Sequence, residues 1–277
     1  MKKIVLFAAL LGVMVSCSSS SSDSGSGNNG NNQADQNFIP LSSPNSWVYQ
    51  VTTPSTSTNP ATVSRDSLYV NGTIQFPNNT NTYVKFNTLN QPNGFYSNCL
   101  NNNGLRKSGT DYLLTGTVQF DPINSGTPLV FNLNDFAIFK QNAAADQELS
   151  SQSGTINQTL GTTPLVISYT LKTKAMSDLS NFTVPGTTTT YPTVKRVNTT
   201  LTMQINASLN GFSVSFMDQQ TVVDAVQHYV ADKGNVYSTT RIKYQLSALA
   251  ISALAQNPNS NIPGSSDVTQ TELLVRH

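Results

Sequence analysis

A chain of 277 residues carrying 15 basic and 14 acidic side chains has neither a basic field for nucleic acid nor an acidic field for cations. Charged residues make up 10% of it, against roughly 25% in ordinary soluble domains, and Asn, Thr and Ser stand in their place. With two cysteines, Cys17 and Cys99, the chain has no disulfide framework.

Lys2 and Lys3 precede an apolar run from Ile4 to Val15, closed by Ser16. A basic start, a short apolar core and a small residue predict a secretory signal peptide over residues 1–16. The run is too short to span a bilayer as a helix. Met14-Val15-Ser16-Cys17 resembles a bacterial lipobox. That resemblance implies that Cys17 is lipidated and becomes the first residue of the mature protein. Bacterial lipoproteins carry several acyl chains there, which anchor firmly where one would hold only marginally. Ser18 rather than Asp follows the cysteine, which by the sorting rule of such lipoproteins implies the outer membrane; its periplasmic or outer face is left open. Removing Lys2 and Lys3 from the 15 basic residues leaves 13 against 14 acidic ones. Residues 17–37 are almost entirely Ser, Gly, Asn, Asp and Gln. They have no apolar surface to offset ordering entropy, so they read as a flexible tether.

From residue 38 to 277 a single antiparallel β domain is expected, because period-two alternation recurs and helical periodicity is nearly absent. Trp47, Tyr49 and Val51 share one strand face, and Asp66, Leu68 and Val70 another. Strands follow over Tyr83–Thr88 and Tyr112–Phe120. Leu129, Phe131 and Leu133 alternate, then parity slips to Phe136 and Ile138, which predicts a bulge at Asn134-Asp135. Leu165, Ile167, Tyr169 and Leu171 form a further strand.

Asn210-Gly211 reads as a two-residue type I′ hairpin turn. It pairs Leu209 with Phe212, Ala207 with Val214 and Ile205 with Phe216, all on one face. The strand before the turn, from about Val194, would extend roughly 50 Å at about 3.3 Å per residue, so it must bend, bulge or wrap. This points to a strongly curved antiparallel sheet or open half-barrel, with a β-sandwich as the alternative. Val236 to Leu246 alternates as a late strand. Residues 246–256, LSALAISALAQ, read as a short helix before Pro258, with a strand running on from Tyr244 as the alternative.

Two segments carry a family resemblance. Phe38-Ile39-Pro40-Leu41, Ser46-Trp47-Val48-Tyr49 and Arg65 to Val70 form the first; Tyr229 to Ser238 form the second. Together they resemble uncharacterised lipoproteins of Bacteroidetes, especially flavobacteria, although Lys233 stands where those have a glycine. The resemblance implies no activity. It suggests a curved sheet like that of the LolA/LolB lipoprotein carriers, which hold acyl chains in a half-barrel.

Chemistry-bearing patterns are sparse. His228 has Asp224 and Asp232 four residues to either side, but period two around it makes it a histidine on a half-exposed strand, so no metal site is read. No G-x-S-x-G elbow or phosphate-binding glycine loop occurs. Glu148 and Glu272 are the two glutamates, and Asp121, Asp135 and Asp146 read as turn caps rather than a paired acid and base. Cys99 reads as a small buried hydrophobe. Asp66-Ser67-Leu68 matches a short O-glycosylation pattern. The aromatic residues Trp47, Tyr49, Tyr69, Tyr83, Phe95 and Tyr96 read chiefly as core, and as an exposed sugar-stacking strip in the alternative.

The expectation is therefore a lipid-anchored, extracytoplasmic protein without enzymatic activity or cofactor. Its expected partners are the membrane and an apolar or amphiphilic ligand, with Leu201, Met203, Ile205, Val214 and Phe216 lining the ligand site. A structural or adhesive surface protein and a carbohydrate-binding module are the alternatives.

Overall fold

The computed structural model describes residues 35–55, 60–77, 79–123, 125–209, 211–256 and 262–277. The expected signal peptide, Cys17 and the tether as far as residue 34 lie outside the described residues, as does Asn210 of the expected turn. Residues 35–37, expected as the end of the tether, are held by the domain. Asp35 pairs with Lys107 at 2.7 Å, and the Asn37 carbonyl accepts the Asp232 N–H.

Twelve strands and two short helices follow in chain order. They are β1 (Ser46–Thr53), β2 (Thr62–Ile74), β3 (Tyr83–Thr88), α1 (Phe95–Leu100), β4 (Gly104–Ser108), β5 (Asp111–Phe120) and β6 (Leu129–Lys140). The second half comprises β7 (Glu148–Leu160), β8 (Thr163–Thr183), β9 (Thr190–Leu209), β10 (Phe212–Val230), β11 (Gly234–Gln245), α2 (Ala248–Ala255) and β12 (Ser265–Arg276). All strands join one antiparallel sheet in the order β6-β5-β4-β3-β2-β1-β12-β11-β10-β9-β8-β7. The all-β curved sheet is thus present; the sandwich alternative is not, because no second sheet faces the first among the described residues.

The two edges, β6 and β7, are consecutive in the chain and come together. No backbone ladder joins them. Side chains do: Ser150 Oγ on β7 accepts the Ala137 N–H at 2.9 Å, and from the next strand, β8, Thr173 Oγ1 donates to the Ala137 carbonyl at 2.6 Å. Further along, Gln152 donates to the Asn132 carbonyl and Gln158 to the Pro128 carbonyl. The seam is tight at Ala137, where a hydroxyl reaches across, and wider where glutamine is needed. A nearly closed barrel results.

The predicted bulge at Asn134-Asp135 is present. Leu133 pairs with Gly116 and Phe136 with Leu114, so two residues of β6 oppose Thr115 alone. Asp135 takes φ 49° there. A second irregularity at Ile138 returns Phe139 to the inner face, where it packs on Tyr229 with ring centroids 4.8 Å apart. The β9–β10 hairpin holds the expected pairs Leu209–Phe212 and Ala207–Val214, but Ile205 pairs with Met217 rather than Phe216. An extra residue near Phe216 shifts the register, so Met217 enters the interior and Phe216 turns toward α2.

The interior is filled by side chains from opposite walls. Tyr49, Tyr96, Tyr229, Phe139 and Phe38 form a chain of ring contacts with centroids 4.8 to 6.2 Å apart. Such offset and edge-on pairs add to the area they bury.

Helix α1, absent from the sequence expectation, is too short for periodicity to reveal. Its position is set by captured backbone donors. The N–H groups of Asn93 and Gly94 go to Asp66, that of Phe95 to Gln270, and those of Tyr96 and Ser97 to Glu272. Three side chains on β2 and β12 thus hold five consecutive donors that a short helix could not satisfy itself. Gly94 is required by this packing: a Cβ there would overlap the Glu272 carboxylate. Helix α2 lies within the expected 246–256 segment, capped by Ser247, whose Oγ accepts the Ala250 N–H.

Candidate functional site

The strands alternate up and down without exception, so connections after odd-numbered strands gather at one end of the barrel. In the sequence of those connections (54–61, 89–103, 121–128, 161–162, 210–211 and 246–264) Asp121 is the one charged residue. Its carboxylate is spent locally, accepting from the Ser125 N–H and hydroxyl and from the Gly126 N–H. The uncharged character continues well into the strands, over residues 149–171, 197–217 and 244–266.

Large apolar side chains stand out at this end. Phe212, at the β9–β10 tip, is 73% exposed, Leu249 on α2 is 50% exposed and Ile251 is 39% exposed. Of α2 only Ala250 is buried. A helix built of Ala, Leu and Ile apart from Ser252 would normally be enclosed; this one lies on the surface. It is fastened from beneath, where Ser247 donates its N–H to the Phe216 carbonyl and its hydroxyl to the Ser215 carbonyl. Between α2 and the sheet runs a groove of about 100 Å³ lined by Leu160, Ala207, Val214, Phe216, Leu249 and Leu254.

The five residues proposed from sequence do not share one space. Val214 and Phe216 line this groove. Met203 and Ile205 face a gap of about 20 Å³ near the seam. Leu201 borders an interior cavity of about 60 Å³ with Phe131, Leu133 and Tyr229. Leu201, Met203, Ile205 and Phe216 are buried and Val214 is half-buried. A cavity of 60 Å³ equals the liquid volume of about two waters, whereas small-molecule sites run to roughly 300–1,000 Å³. The five residues thus line three separate small spaces, the largest of them the groove at the barrel's end. Phe212, which strict alternation places beside Val214 on the inner face, is exposed at the last strand pair. Leu249 and Ile251 were legible as helix, but their exposure was not.

Other singled-out groups have structural partners. Glu272 is 1% exposed and accepts from the Tyr96 and Ser97 N–H groups and from the Ser97 and Ser238 hydroxyls. Burial raises its pKa above the usual glutamate value despite those donors. Burial also pushes the Cys99 thiol up to about 12, so it stays protonated at neutral pH. His228 stacks on Phe182 at 4.8 Å with its Nδ1 3.1 Å from the Tyr237 carbonyl, and burial lowers its pKa to about 4. Asp135 forms a two-point pair with Arg106 and accepts from the Tyr83 hydroxyl, which holds its carboxyl below the usual range. Asp146 pairs with Lys174 at the opposite end from Asp121, so the three aspartates do not converge. Asp66 of the glycosylation pattern is buried and Ser67 half-buried within β2. Trp47, Tyr49, Tyr83, Phe95 and Tyr96 are buried and Tyr69 is half-buried, so these six residues form no exposed strip. Among the described residues no cluster of metal-ligating side chains occurs.

Comparison with protein-family models, curated proteins and solved structures finds no match.

Proposed function

We propose that this is an extracytoplasmic lipoprotein of the outer membrane, anchored through Cys17, that binds an apolar or amphiphilic lipid at the α2 end of its barrel without catalysing a reaction. The observation that carries the reading is the uncharged end, where Phe212, Leu249 and Ile251 stand exposed around an apolar groove. Solvated strand connections normally collect charge; here apolar side chains are presented by two separate connections, a pattern that suits contact with acyl chains. The groove takes the end of one chain, and the exposed residues extend the apolar surface beyond it. The N-terminal residues of the domain sit at the other end, beside the β10–β11 turn. Residues 35–37 and this surface are therefore at opposite ends of the barrel.

The anchor and the surface are tested separately. A Cys17→Ser chain removes the anchor, and its incorporation of an alkyne fatty acid is expected to fall to background. The same unanchored chain is then floated with phosphatidylethanolamine–phosphatidylglycerol vesicles and examined by native mass spectrometry for single-lipid adducts. Combined Phe212→Ser, Leu249→Ser and Ile251→Ser is expected to weaken lipid association at least tenfold while the unfolding midpoint holds, because all three side chains are exposed. Absence of both flotation and adducts in the parent chain refutes the lipid reading.

A further inference from the structure

A second cleft lies on the outer face of the sheet, away from the apolar end's groove. Strand β4 begins at Gly104, opposite Thr115, while β5 runs on to Phe120. The missing neighbour is replaced by amide side chains. Asn103 donates to the Thr117 carbonyl and accepts the Thr117 N–H at 2.7 Å, continuing the ladder as a strand would. Asn98 donates to the Gln119 carbonyl at 2.7 Å. Beside this patched edge is an open cleft of about 520 Å³, with Phe76 and Pro77 on one wall. Beyond Asn98 and Gln119 it continues into a hollow of about 240 Å³ edged by Phe95, Phe120 and Gln270.

The wall of the larger cleft is amide-rich and bears no charged side chain among the described residues. Several of its amides have capacity to spare. Gln91, Asn102 and Gln119 make no side-chain hydrogen bond within the described residues. Among the described residues Asn98 also keeps its side-chain carbonyl oxygen free, Asn101 keeps its NH₂, and Asn132 keeps its NH₂ after accepting from Thr117. These groups are both donors and acceptors, spread along a groove rather than focused on one point. An anionic ligand would need a cation, which the wall lacks. An apolar ligand would strip water from the amides without replacing its hydrogen bonds. A polyhydroxylated neutral ligand satisfies both kinds of group, because each hydroxyl donates and accepts. The half-buried Phe76 ring adds an apolar surface for a C–H face. The volume falls within the roughly 300–1,000 Å³ of small-molecule sites.

We propose that this cleft binds a neutral oligosaccharide lying lengthwise from Phe76 toward Gln119. The assignment is independent of the lipid reading, since the two sites share no residue.

The test is affinity electrophoresis of the Cys17→Ser chain in gels containing starch, mixed-linkage β-glucan, mannan or arabinan, with polygalacturonate as the acidic comparison. At least one neutral polysaccharide is expected to retard the protein. Gln119→Ala with Asn132→Ala, both at exposed positions, is expected to raise the Kd at least tenfold with the thermal midpoint unchanged, while Phe212→Ser leaves retardation intact. Retardation by none of the four neutral polymers, by polygalacturonate alone, or equally in the double variant overturns the proposal.

Discussion

Replacing Glu272 with alanine tests the device that holds α1 inside the barrel. The carboxylate receives the Tyr96 N–H at 2.8 Å and the Ser97 N–H at 3.1 Å, both buried. The Ser97 and Ser238 hydroxyls can rotate to other acceptors, but the two backbone donors cannot. Leaving each unsatisfied costs about 1–3 kcal/mol. Removing a buried carboxylate also relieves its desolvation, so the net loss is set at about 3 kcal/mol. Against a typical total of about 5–15 kcal/mol, that is a large fraction. Trp47 is the sole tryptophan and is 2% exposed, so its fluorescence follows unfolding in urea. A loss below about 1 kcal/mol would refute the claim that Glu272 holds α1. The pH dependence gives a second readout. Because burial raises the folded-state pKa of Glu272, the folded protein binds that proton more tightly than the unfolded one. The associated stability is fully present below the ordinary glutamate pKa and declines as pH rises through the raised value. The stability gap between parent and Glu272→Ala is therefore expected to narrow from pH 4 toward pH 8, and a gap that widens would contradict the assignment.

His228 titrates in the opposite sense. Its folded pKa is lowered to about 4, so the stability of the neutral ring is present above the ordinary histidine value and is lost as pH falls toward 4. His228→Phe keeps the stack on Phe182 and removes the proton; relative to it, the parent is expected to lose about 3 kcal/mol between pH 7 and pH 4 in urea titrations, and a pH-independent difference would sink the argument. Asp135→Asn keeps a residue suited to the positive φ of the bulge but breaks the two-point Arg106 pair. A loss of about 1 kcal/mol is expected for this partly exposed pair, with the loss diminished when Arg106 is already Ala in a double-mutant cycle.

The strand content of this chain and several of its faces were legible because alternation in an antiparallel sheet is a local consequence of the two-residue pleat. Trp47, Tyr49, Leu129, Leu201 and Ile205 are buried as their parity requires. The slip between Leu133 and Phe136 marked its bulge for the same reason. Phe216 shows where this logic stops. Nothing in its neighbours signals the extra residue that hands the inward position to Met217, since a bulge between two apolar residues leaves no gap in the pattern. Helix α1 was invisible because its donors are satisfied by Asp66, Gln270 and Glu272, far away in sequence.

The candidate sites divide along the same line. Composition alone determined that the chain is poor in charge, and the Ala-Leu-rich stretch before Pro258 favoured a helix over a strand running on from Tyr244. That these uncharged segments meet at one end of a barrel, with Phe212, Leu249 and Ile251 exposed, was decided only by the closure of twelve strands. The amide cleft likewise arises because β4 is shorter than β5, leaving asparagine side chains to finish a ladder. Local sequence sets which groups a segment presents; the tertiary structure sets which distant segments share a surface, because that depends on strand order and length across the whole sheet.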